Sequence, residues 1–203
     1  MIRSLLIGSL GFAAVSVIAF SVWAFGGRWF HFPGGELTMY AVIAVVFLGL
    51  SGAVLSRLVH GERAITRFYG AFLPAFFAYA VLWCAAWFLV KGRTGEWVGS
   101  LAGSLVFAAI IHARLGSGKT FALSGLIVFV THSLGYFIGG EWMYGVLDHG
   151  LAGLTKPQVA LAAKLGWGLF YGLGFGAGIG AAFDRAQRNG QSNHDATSIN
   201  EPS

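Results

Sequence analysis

PQVALAAKLGWGLFYGLGFGAGIGAAF, residues 157–183, carries a single charged side chain, Lys164. At 1.5 Å per residue, a helix of this length reaches about 40 Å. The hydrocarbon core of a bilayer is only about 30 Å thick. A surface helix of a soluble domain needs one apolar stripe, but this run is apolar or glycine on every side. It reads as a membrane span. Thr155 and Gln158 supply a cap three residues apart, and Pro157 sits in the first turn, where its missing N–H costs nothing.

Five further runs have the same character, near residues 2–25, 36–59, 64–90, 96–113 and 119–138. The expected fold is therefore all-α: a polytopic membrane helix bundle of six transmembrane helices. One domain occupies residues 1–186, and the polar, Asn- and Ser-containing residues 187–203 are expected to be a disordered tail. Charged residues make up only 10% of the 203, against about a quarter in soluble domains. The first run follows Arg3, as in a signal peptide. Its apolar part exceeds the usual 7–15 residues and no Ala-x-Ala site precedes Gly26, so it is expected to stay as a span.

The 13 basic residues lie at the ends of apolar runs and not on one patch, which excludes a nucleic-acid footprint. Six spans place Arg3, Arg57, Arg63, Arg67, Arg114, Lys119, Arg185 and Arg188 on the side of both termini. Arg28, Lys91, Arg93, Lys156 and Lys164 fall on the other. This bias puts the N- and C-termini in the cytoplasm. Trp29, Phe30, Trp97, Trp142 and Tyr144 gather on the sparser side, as interfacial anchors do. Compact loops point to a bacterial inner (cytoplasmic) membrane. The stretch Gly139 to Thr155 is too apolar for a solvated loop and is expected to form an interfacial or re-entrant element. Gly116-Ser-Gly-Lys-Thr120 lacks the first glycine of a phosphate-binding loop, since Ala113 stands there, and reads as a turn.

Gly168, Gly172, Gly176 and Gly180 recur every fourth residue and make a helix-packing face. That face is expected to bring helices together within the monomer, or to serve as an interface for a homo-oligomer or membrane-complex partner. Gly99 with Gly103 and Ser100 with Ser104 form a weaker small-residue face. His132 lies inside the fifth run, about 10 Å from its expected outer end, and ionisable groups at such depth are functional by default. Lys164, Glu36, Tyr40 and Tyr136 are expected to join it in an outward-facing substrate or ion pocket. His60 and His112 read as boundary residues. Phe72, Phe76, Tyr79, Trp83 and Trp87 form an aromatic face on the third run, in which Pro74 removes a backbone hydrogen bond.

No catalytic set of acid, base and nucleophile converges, so enzyme activity is not expected. His31, Glu141, Asp148 and His149 are too far apart along the chain to argue for a metal site, and no cofactor can be assigned. Besides the lipid bilayer, no partner is identified. The reading that fits best is a small permease or channel-like protein with its polar pocket near His132. The alternative is a non-catalytic subunit or assembly factor of a membrane complex, one that contacts a cofactor or pigment.

Overall fold

The computed structural model describes residues 1–116 and 120–198, the side chains of 27, 28 and 189–198 excepted. Six helices follow in order: α1 (Ile2–Gly26), α2 (Gly35–Leu55), α3 (Ala64–Val90), α4 (Gly92–Leu115), α5 (Phe121–His149) and α6 (Lys156–Ser198). All six contain a stretch long and apolar enough to cross a membrane. The chain is an all-α, multi-pass membrane helix bundle. One end of the bundle, here the terminal end, carries the N-terminus; the opposite one is the far end.

α6 is the axis of the bundle. A Cβ added at Gly176 would meet the Gly8 carbonyl and the Phe12 side chain, and one at Gly180 would meet the Ser4 carbonyl. Gly172 lies against Ala13 and Ser16, and Gly168 against the Phe20 ring. The four-residue glycine row is thus filled by α1 of the same chain, which leaves no room on it for a second copy. Gly174 and Gly178, on an adjoining face, meet Thr131, Gly135 and Val128 of α5. Glycine costs about 1 kcal/mol against alanine in a helix. Backbone-to-backbone approach on two faces offsets that cost, and interhelical bonds add to it. Ser16 donates to the Gly168 carbonyl at 2.7 Å, and Ser9 donates to the Leu173 carbonyl at 2.9 Å.

The third face of α6 presents Phe175, Ile179 and Phe183, all fully buried, to a core that includes Phe12, Phe68, Phe72 and Phe107. α3 runs through Pro74 without a break and turns at once into α4. Lys91 and Gly92 make that turn with positive φ of 61° and 57°. Gly95, Gly99 and Gly103 of α4 lie against Ala86, Trp83 and Tyr79 of α3. This is a second close-packed pair, on the row that includes the expected Gly99–Gly103 face.

Two boundaries differ most from expectation. α5 does not stop near residue 138 but continues to His149, so the expected interfacial element after Gly139 is helix, and only residues 150–155 connect it to α6. Gly139 and Gly140 do not break the helix, because Gly139 packs on the Trp167 side chain. The helix is about 44 Å long at 1.5 Å per residue. α6 in turn runs past the expected boundary at Gln187. The Gln187 amide donates to the Leu58 carbonyl at 2.7 Å and accepts from the His60 N–H at 2.9 Å. The last expected tail residues, 199–203, and Lys119 of the Gly-Ser-Gly-Lys turn lie outside the described residues. The cap of α6 forms as expected, with Gln158 accepting from both the Thr155 N–H and hydroxyl at 2.9 Å.

Gly176→Leu forces a side chain into the α1 backbone. Overpacking of this kind costs about 1–3 kcal/mol or more. The thermal midpoint in detergent is expected to fall by about 2–10 °C or more, while Gly140→Ala, which meets no neighbour, leaves it unchanged or raised. Equal midpoints for Gly176→Leu and the parent chain would contradict the packing described.

Candidate functional site

His132 is fully buried. With α5 extending to His149, it stands in the middle third of that helix and deeper than the sequence suggested. Its Nε2 shares a 2.6 Å hydrogen bond with the Tyr79 hydroxyl of α3. Tyr79 reaches it by passing over Gly103 of α4, where any Cβ would press on the Tyr79 ring. Tyr136 stacks on the imidazole at 5.9 Å between centroids, and Tyr171 and Phe175 of α6 approach edge-on at 5.6 Å and 5.1 Å. His132 Nδ1 has no hydrogen-bond partner among the described residues. A neutral imidazole has one donor and one acceptor nitrogen, so one of these capacities is unused whichever tautomer is present.

The expected pocket is divided. Lys164 does not lie beside His132; its ammonium sits 4.5 Å over the Trp23 ring. With Glu36, Tyr40 and His31 it lines a cleft of about 660 Å³ at the far end. Tyr136 lines a separate cleft with Glu96, Arg93 and Trp167. The Tyr136 hydroxyl donates to Glu96 at 3.3 Å. Of the five expected pocket residues, Glu36, Tyr40 and Lys164 share one site, while His132 and Tyr136 belong to another. Glu36 and Tyr40 stand on α2, which packs chiefly on α1 rather than on the α5 that carries His132.

A polar row that the sequence reading did not assemble runs along α4. Glu96, Ser100, Ser104, Ala108 and His112 recur every fourth residue, so each stands beside the next along a ridge that winds around the helix. Its two ends are pinned to α5: Tyr136 donates to Glu96, and His112 Nε2 bonds the Ser124 hydroxyl at 2.9 Å. On α5 the matching row is Tyr136, His132, Val128 and Ser124. Ser100 and Ser104 are fully buried between the pins, and their hydroxyls have no partner among the described residues. From Glu96 to His112 the rise is about 24 Å, most of a hydrocarbon core. His112 stands in the last turn of α4, at the span end expected for it, and is fully buried there. Arg185 of α6 donates to the same Ser124 hydroxyl at 3.2 Å. The signal was present in the four-residue spacing, but serine also serves as a small packing residue, and that use concealed the row.

Among the described residues no group of three or more His, Cys, Asp or Glu could hold a metal ion.

Tyr79→Phe removes the only hydrogen bond that this buried imidazole makes among the described residues. Leaving such a group unsatisfied costs about 1–3 kcal/mol, and the thermal midpoint should drop by roughly 2–10 °C. An unchanged midpoint would show that the Tyr79–His132 bond contributes nothing.

Compared with protein-family models, with curated proteins and with solved structures, the chain finds no match.

Proposed function

We propose that this protein is a small permease in which protons cross the membrane along the seam between α4 and α5. The observation that carries this reading is the polar row of α4 turned toward α5, bonded at both ends, with two buried serine hydroxyls between them that have no partner among the described residues. A polar group in hydrocarbon without a partner costs several kcal/mol, so a row of them kept for packing alone would be a poor exchange for alanine. Buried hydroxyls and an imidazole with an unused nitrogen are groups able to accept and hand on a proton. His132 is the central station, between Glu96 toward the far end and His112 toward the terminal end.

The α4 row has one apolar break, at Ala108, and the α5 row has one at Val128; both are fully buried. A small residue at position 108 leaves the least obstruction that a continuous helix permits. The far end is the outer face in this reading, and the bilayer is a bacterial inner membrane, following the distribution of Lys and Arg. No tightly enclosed substrate chamber is required, because a proton needs only a chain of hydrogen-bonding groups.

Reconstitution into liposomes loaded with a pH-sensitive dye tests the proposal. With a potassium-driven potential, the parent chain is expected to acidify the lumen, and His132→Phe to reduce the rate at least about tenfold, which is a barrier increase of about 1.4 kcal/mol. Ala108→Leu should reduce it similarly, while both variants keep a sharp thermal transition. No flux from the parent chain, or parent-like flux from both variants, would overturn the reading; a stoichiometric co-purifying chain without flux would favour the subunit role.

A further inference from the structure

The far-end cleft into which the α4–α5 seam opens has a chemistry that proton transfer leaves unused. Its volume is about 310 Å³, at the lower limit of small-molecule sites. Two carboxylates face it, and one already has its cation. Arg93 bonds Glu141 at 3.1 Å, and its guanidinium carbon lies 5.4 Å from the centre of the Phe137 ring. The cleft thus holds one organic cation of its own between a carboxylate and an aromatic face.

Glu96 has no such partner. It is half-buried, accepts only the 3.3 Å bond from Tyr136, and forms no ion pair among the described residues. Above it stand the Tyr136 and Trp167 rings, edge-to-face at 5.9 Å. Trp167 adds a buried indole N–H with no partner among the described residues. A carboxylate screened from water and walled by aromatic rings favours a cation whose charge is spread over carbon, since ring faces replace its weak hydration. A metal ion would want several oxygen ligands, which are not gathered here. An anion would meet two carboxylates against one guanidinium.

We propose that this cleft binds a small organic ammonium ion, with Glu96 as the counter-ion and Tyr136 and Trp167 as the aromatic wall. The proposal rests on the reading of the seam as a transport path, since it makes the mouth of that path a ligand site. Occupancy by an ammonium ion and proton delivery to Glu96 then compete for the same carboxylate.

Isothermal calorimetry on the full chain in detergent tests it with choline and its uncharged isostere 3,3-dimethylbutan-1-ol. Saturable choline binding is expected below about 10 mM, with the isostere at least about tenfold weaker. Glu96→Gln should weaken choline binding at least about tenfold, and Asp148→Asn, outside this cleft, should not change it. Trp167→Leu provides a second arm should Glu96→Gln fail to fold, and is expected to weaken binding at least about fivefold. Equal binding of the isostere, no saturation, or parent-like binding in the folded Glu96 or Trp167 variants would overturn the proposal. Choline binding without proton flux would reject the transport reading and keep the site; flux without choline binding would do the reverse.

Discussion

The close approach of backbones along α6 is the constraint on which the rest of the bundle depends. Lipid tails are as apolar as leucine, so membrane helices gain little from hiding apolar surface and associate through packing and hydrogen bonds. Here Gly172, Gly176 and Gly180 admit α1, and Gly174 and Gly178 admit α5. The remaining face then projects Tyr171 and Phe175 onto His132. A bulkier α6 would move α5 outward, and the imidazole would lose its enclosure. The same device recurs on α4, where Gly99 and Gly103 bring α3 close enough for the Tyr79 hydroxyl to reach His132. Packing and the polar site are thus one construction: glycine sets the distances, and the aromatic residues between glycines use them.

Much of this was legible in the chain. Run length and scarcity of charge give six spans, and the four-residue glycine spacing gives a packing face. Composition could not say which helix fills that face; α1 does, although it is the most distant span in sequence. His132 was recognisable from depth alone. Its relation to Lys164 was not, because the estimate of depth assumed that Gly139-Gly140 ended the helix. The pair is tolerated there because Trp167 packs on Gly139, a contact that local propensity cannot anticipate.

The α4 row is a different case. Glu96, Ser100, Ser104 and His112 were visible at regular spacing, but direction gives a row its meaning, and direction comes from tertiary contacts. The bonds to Tyr136 and Ser124 turn the face toward α5. Burial then leaves two ordinary serines without a hydroxyl partner among the described residues, in a low-dielectric interior where each is more costly than it would be in water. Such groups are retained in membrane interiors chiefly where they do something. The arrangement is asymmetric: toward the far end the row opens into a cleft with carboxylates and aromatic rings, and toward the terminal end His112 is tied to Ser124, whose hydroxyl also accepts from Arg185.

Site-directed thiol labelling tests the central claim, an outward-connected His132, most directly. Cys84, the only cysteine, is replaced by alanine, and a cysteine is introduced as Glu96→Cys, Tyr136→Cys or His132→Cys. A small membrane-impermeant methanethiosulfonate is then added to one face of the bilayer at a time. The account predicts reaction at all three positions from the far-end face, fastest at 96 and slowest at 132, and none at 132 from the terminal face while Ala108 is replaced by leucine. Rapid labelling at 96 with position 132 inert from both faces would contradict it.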